Sequence, residues 1–264
     1  MADATQTAGP AERHALFTWR QQKLLSRIVL YSVMIFIAVV VILPLLWMLS
    51  TSFKPKAELF LPQIHWIPKT FTLQNYQAIL DNSSLPIVRW FANSLFVATT
   101  ITVLVLIVDS LAAYAYARMR FRGKNVLFMM LLVTMFLPGM MFLIPNFLTV
   151  NALGWLNNYA GVITPALSGV FGVFFMRQFF LSLPRELEEA AFIDGATRLQ
   201  TFWFIALPLA KPALATLGII TFLGAWNDFL WPLLVLKDRS LMTLPPGLAT
   251  LQGAYTSEYA QMMA

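Results

Sequence analysis

The sequence predicts an all-α fold, a polytopic membrane helix bundle, and three observations carry that expectation. Hydrophobic residues make up 59% of the chain, charged residues only 11%, and the mean hydropathy is +0.70. Several uncharged runs reach the roughly 20 residues that cross a bilayer as a helix. Helices are the expected solution, because backbone groups in hydrocarbon must be satisfied within their own segment.

Residues 1–27 form a polar tail ending in Arg20, Lys23 and Arg27. The first span is expected at about 28–53. A signal peptide has an apolar core of only about 7–15 residues followed by a small-residue cleavage site. This run is longer and leads into Thr51-Ser52-Phe53-Lys54-Pro55, so it reads as a retained helix. Residues 54–88 are a polar loop punctuated by Pro55, Pro62, Pro68 and Pro86. The second span, about 90–117, is charged only at Asp109 and ends in the basic patch Arg118, Arg120, Arg122 and Lys124. Asn125–Met176 carries no formal charge and is too long for one helix. Its polar, glycine-bearing middle from Asn151 to Asn158 reads as a turn, giving a third span at about 125–147 and a fourth at about 159–180. Pro138-Gly139 and Pro145 interrupt the third. The charged segment 181–211 follows, then a fifth span at about 212–236 broken only by Asp228. Pro245-Pro246, Gly247 and Gly253 make the uncharged run 240–257 a loop.

Basic residues set the orientation. With the tail inside, twelve of the 18 Lys and Arg lie on the inner side, the bias expected of cytoplasmic loops. The formal charge of +6 is thereby accounted for without nucleic acid. The absence of cysteine excludes disulfides and thiolate chemistry, and the two histidines, His14 and His65, lie outside the apolar runs. There is no G-x-x-x-x-G-K-[ST] phosphate loop, metal-ligand cluster or arranged nucleophile and base, so no catalysis and no cofactor is expected in this chain.

The most patterned segment is the charged one. Pro184 suits a first helical turn, and Glu186, Glu188 and Glu189 complement the positive helix end. Gly195 can take the left-handed conformation that stops a helix, after which a second short helix can run from Ala196 to about Leu207, before Pro208 and Pro212. The product is a helix-turn-helix outside the membrane, where Glu189 offers a charged contact and Ala190 and Ala191 permit close approach by a partner. Within the spans, Asp109 and Asp228 should face the bundle interior, a water cavity or an interface. An aromatic and polar group, Trp226, Asn227, Asp228 and Trp231, suits a sugar, whose rings have apolar faces and hydroxyl edges. An interfacial aromatic belt is the competing reading of the same residues.

The spacing E-A-A-x-x-D-G-A-(x)5-F-x-x-I-x-L-P-(x)3-P, from Glu189 to Pro212, resembles the cytoplasmic coupling loop, or EAA motif, of bacterial ABC importer permeases. Ser52-Phe53-Lys54-Pro55, Phe71-Thr72-Leu73-Gln74-Asn75-Tyr76, Asn93-Ser94 and Ala113-Tyr114-Ala115-Tyr116-Ala117-Arg118 look like the carbohydrate branch. So do Phe121-Arg122-Gly123-Lys124, Leu137-Pro138, Ile144-Pro145 and Gly154-Trp155-Leu156-Asn157-Asn158. Trp226 to Pro232 and Thr243-Leu244-Pro245 resemble the smaller maltose-type permease subunit.

The resemblance implies one permease domain over 28–264, in the inner membrane, importing a sugar or oligosaccharide. It implies a second homologous permease, two ATPase subunits that hold ATP and Mg, and an extracytoplasmic solute-binding protein. Glu188, Glu189, Ala190, Ala191, Asp194, Gly195, Ala196 and Pro208 would meet the ATPase; Thr243, Leu244, Pro245, Pro246 and Gly247 would meet the binding protein. Family members of this kind have six spans and end inside, so a sixth helix is expected beyond Ala264. A permease for another solute, such as a glycerol phosphate ester, is the alternative. An ion-driven secondary transporter fits less well, because it would lack the helix-Gly-helix pattern.

Overall fold

The computed structural model describes residues 19–59, 65–81, 86–167 and 169–254, so the start of the tail and the expected continuation past Ala264 lie outside the described residues. Among them there is helix and no strand. The chain divides after Tyr76 into two compact units.

The first unit is dominated by α1, Trp19–Ser52, exposed over 23–46 and buried only at its end, at Thr51 and Ser52. Its end is closed by a knot of side chains. Two short helices follow, α2 (Lys56–Leu59) and α3 (Gln74–Leu80). Asn75 Nδ2 donates to the carbonyls of Ser52 and Lys54 at 2.8 and 2.9 Å, satisfying acceptors left orphaned at a helix C-terminus. The Ser52 hydroxyl meets Tyr76 Oη at 2.7 Å, and Phe53 stacks on Phe71 at 4.6 Å. The two motif segments that flank the polar loop in sequence are therefore one contact. Lys54 donates to the His65 carbonyl while lying over the Trp47 ring. Glu58 accepts the Lys69 N–H at 2.9 Å, which holds its carboxyl below the ordinary value.

The second unit is built around α4, Ile87–Arg118. After it come α5 (Lys124–Thr134), α6 (Leu143–Ala152), α7 (Tyr159–Ala166) and α8 (Val170–Ser182). Then follow α9 (Glu186–Ile193), α10 (Arg198–Leu209), α11 (Lys211–Trp226), α12 (Leu230–Val235) and α13 (Leu244–Ala254). The C-terminal half of α4 buries Ala113, Tyr114 and Ala117 among Met176, Phe180, Phe202 and Leu217. Its N-terminal half buries Val97, Ile101 and Val105 among Val150, Val162, Val235 and Leu236. Small residues let helices approach closely where lipid supplies no hydrophobic drive. Gly172 on α8 is the tightest case: a Cβ there would stand 1.9 Å from Asp109 Oδ2.

Among the described residues two helices, α1 and α4, are long and apolar enough to span alone, and counting each of three bent pairs as one span gives up to five. The first four expected spans fall on α1, α4 and two of these pairs, the third and fourth span each being broken, while the remaining pair joins α10, expected outside the membrane, to α11 at 78°. In the third, α5 and the Gly139–Ala152 segment meet at 95°. There the N–H groups of Met135, Phe136 and Leu137 tighten onto carbonyls three residues back, and Pro138 has no N–H to continue the helix. The fourth breaks before Val170, with Gly169 extended. The fifth is not one helix over 212–236. It stops at Trp226, Asn227 Nδ2 donates to the Leu223 carbonyl at 2.8 Å, and Asp228 Oδ1 accepts the Trp231 N–H at 3.4 Å as α12 begins.

The loop expected over 240–257 is also corrected, because α13 occupies most of it. Pro245 and Pro246 sit in its first turn, where a missing N–H has no intrahelical partner to lose. Gly247 lies on Trp90, where a Cβ would come within 2.4 Å of the indole ring.

Candidate functional site: the coupling element and its anchor

The charged segment folds as the expected helix-turn-helix. Three glutamates occupy the first turn of α9, and Gly195 ends it with φ +83°. Thr197 then opens α10 with a capping box, its hydroxyl accepting from the Gln200 N–H while Gln200 Oε1 accepts from the Thr197 N–H at 2.8 Å. That T-x-x-Q signature was legible in the sequence and went unused. In its middle α10 widens to a π-helical turn over Phe202–Ala206, with Phe202 and Ala206 buried.

The two adjacent glutamates have opposite roles. Glu188 points inward and is buried, with Oε1 2.9 Å from Arg118 Nε and Oε2 accepting from Tyr114 Oη at 3.3 Å. Arg118 also donates through Nη2 to the Leu183 carbonyl at 2.6 Å. This fork ties α9 and the end of α8 to the last turn of α4. Glu189, Ala190, Asp194, Gly195 and Pro208 face outward, Ala191 is buried, and Ala196 is half-buried. The sequence grouped Glu188 with the outward residues and missed Arg118 and Tyr114 as its partners.

The residues suggested for a substrate pathway are dispersed in purpose. Trp226 lies against Phe91 and Phe222, with ring centroids at 5.3 and 5.8 Å. Asn227 and Asp228 serve helix ends, and Trp231 Nε1 donates to the Gly161 carbonyl at 3.1 Å. A cavity of about 660 Å³ lies elsewhere, at the break between α5 and α6, against the start of α8. Asp109 packs on Gly172, and no hydrogen bond to it occurs among the described residues. At the other end, Trp90 Nε1 donates to the Arg239 carbonyl, and Asn93 Nδ2 donates to the carbonyls of Ser240 and Met242. Thr243, Pro246 and Gly247 are buried there; Leu244 and Pro245 are half-buried. Asn157, at φ 56°, accepts the N–H groups of Lys237 and Asp238. Among the described residues no group of His, Cys, Asp or Glu is arranged to hold a metal.

Residues 110–264 match a family described as binding-protein-dependent transport system inner membrane component. The arabinooligosaccharides transport system permease protein AraQ of Halalkalibacterium halodurans is 40% identical over 231 residues, which cover 87% of this chain and 82% of that one. The sulfoquinovosyl glycerol transport system permease protein SmoH of Agrobacterium fabrum is 36% identical over 80% of this chain and 74% of its own. The sn-glycerol-3-phosphate transport system permease protein UgpE of Escherichia coli is 36% identical over 85% and 82%. Among solved structures, a chain of a bacterial ABC transporter involved in import of the acidic polysaccharide alginate superposes with a TM-score of 0.82. It has 26% identity and covers 94% of this chain and 91% of its own.

Proposed function

The chain belongs to the binding-protein-dependent transport system inner membrane components, and from that premise we propose that it is one permease subunit of an ABC importer for a sugar or oligosaccharide. It forms half of the translocation pathway, with a second homologous permease as the other half. Two ATPase subunits hold ATP and Mg, and a solute-binding protein delivers cargo from outside. The tail is cytoplasmic, which puts 181–211 on the ATPase side.

The observation that carries this reading is the anchored helix-turn-helix. Its outward face, Glu189, Ala190, Asp194, Gly195, Ala196 and Pro208, is the docking face for the ATPase. Its inward face, through Glu188, Arg118 and Tyr114, ties that docking face to α4. A push on α9 therefore reaches the longest helix of the second unit without a flexible link, which suits rigid-body alternating access. At the opposite end, Leu244 and Pro245 remain partly open for the binding protein, beside the exposed Lys237, Asp238 and Arg239.

Charge reversal at the docking face tests it. Glu189→Lys should abolish sugar uptake while the protein stays in the membrane at normal abundance. A tag on this chain should bring down a nucleotide-hydrolysing subunit from wild-type cells and far less from the variant. Normal uptake together with normal ATPase recovery in the variant refutes the assignment.

A further inference from the structure

We propose that the cavity at the break between α5 and α6 is this chain's half of a subsite for a neutral carbohydrate, in preference to a phosphate ester or a uronate. The proposal rests on the importer reading above. The cavity measures about 660 Å³, within the range of about 300–1,000 Å³ of small-molecule sites. Its lining includes Thr134, Met135, Leu137, Phe142, Asn146 and Phe171, and no lining residue is charged.

Three features point to polyhydroxyl cargo. Of the lining residues, Met135 and Leu137 have carbonyls that accept no backbone hydrogen bond, because the helix ends there before Pro138. Unwound backbone at membrane depth is tolerated where it is buried in protein or lines a water-filled cavity. Asn146 is half-buried and makes no hydrogen bond among the described residues, so its amide has both donors and an acceptor to offer. Phe142 and Phe171 supply aromatic faces for the apolar side of a sugar ring. An anion would find no cation here, since both walls come from Asn125–Met176, which carries no formal charge. Moving a charge into such a place without a partner is strongly unfavourable, whereas hydroxyls need only these donors and acceptors.

The chain has no cysteine, so Asn146→Cys gives a single thiol in this subunit. In the intact importer reconstituted with its partners, a neutral cognate sugar should slow alkylation of that thiol at least threefold, and an acidic analogue should not. Asn146→Leu should slow neutral-sugar uptake roughly tenfold, the worth of one hydrogen bond to a buried polar group. Equal protection by neutral and acidic sugars, or unchanged uptake in both Asn146→Leu and Phe171→Ala, overturns the proposal. So does a thiol that cross-links to the second permease with or without sugar, since protein then fills the cavity. A strain lacking this chain separates the two readings. Undiminished sugar uptake there removes the importer assignment itself; abolished uptake with silent cavity variants removes only the subsite.

Discussion

Two helices of similar length and similar sequence signal behave differently. The most apolar 18-residue window of α1 has a mean hydropathy of 3.0 and no buried residue, whereas that of α4 has 2.3 and 33% of it is buried. The more apolar helix is the less packed one. In lipid, apolar side chains gain nothing by leaving lipid for another helix, so packing follows small and polar residues. On α4 these are Ala98, Ala113 and Ala117 and the buried Ser94, Asp109 and Ser110. The middle of α1 is a run of Val, Ile and Leu, which present bulk on every side. Hydropathy thus reports that a helix crosses, and the exceptions to hydropathy report what it holds.

The comparison breaks first at the C-terminal end of α4. Arg118→Ala leaves Glu188 as a buried charge without its partner, and a loss of about 3–5 kcal/mol is expected. Thermal unfolding of the purified chain measures it. Replacing both partners by apolar residues of similar volume, Arg118→Met with Glu188→Leu, should restore most of the stability, because such exchanges are often near neutral, while the anchor to α9 and therefore transport stay impaired. A double variant as unstable as the single one would show that the ion pair is not the anchor. The N-terminal end of α4 comes next. Gly247→Ala drives a methyl into the buried Trp90 ring, and about 1–3 kcal/mol should be lost as α13 shifts; intrinsic tryptophan fluorescence follows the change.

A smaller effect is expected at the turn. Gly195→Ala places a side chain at φ +83°, where about 1–2 kcal/mol of strain arises with no clash, since no atom lies within 4 Å of the new Cβ. Crystallography or hydrogen exchange of the α9–α10 turn should show local loosening with α4 unchanged. The smallest effect sharpens the contrast with α1. Phe36 is 69% exposed, so Phe36→Ala should shift the unfolding midpoint of the purified chain by no more than about 0.5 kcal/mol equivalent. If the same substitution destabilises the full complex by more than 1 kcal/mol, then α1 packs on a partner subunit.

Much of the fold was legible because it is set by local chemistry. Span lengths follow from runs of uncharged residues, and the basic patches mark their ends. The helix-turn-helix over 181–211 could be drawn from Pro184, three early glutamates and Gly195, each of which acts on its own backbone or its nearest neighbours. The depth of the breaks was less legible. Pro138-Gly139 announces an interruption, but a 95° bend also requires something for the second half to lie against. The misread Pro245-Pro246-Gly247 makes the same point, since the residues of a tight turn are also those of a helix start that fits beneath a tryptophan.

The sequence by itself determined that this protein is a bundle of membrane helices with one patterned, charged helix-turn-helix between its apolar runs. It also determined that the element would pivot on Gly195, because glycine's freedom at positive φ needs no tertiary partner. Only the tertiary structure decided which of two adjacent glutamates would be structural. Glu188 and Glu189 are chemically the same and lie about 100° apart on one short helix. Glu188 is the one that faces Tyr114 and Arg118, residues seventy-odd positions earlier whose approach depends on how α9 packs under α4. Likewise Trp231 was written in the sequence as an aromatic at a span end, and packing against α7 gave it the Gly161 carbonyl as its partner. Local conformation is fixed by neighbours along the chain; the choice of partner is fixed by which surfaces meet.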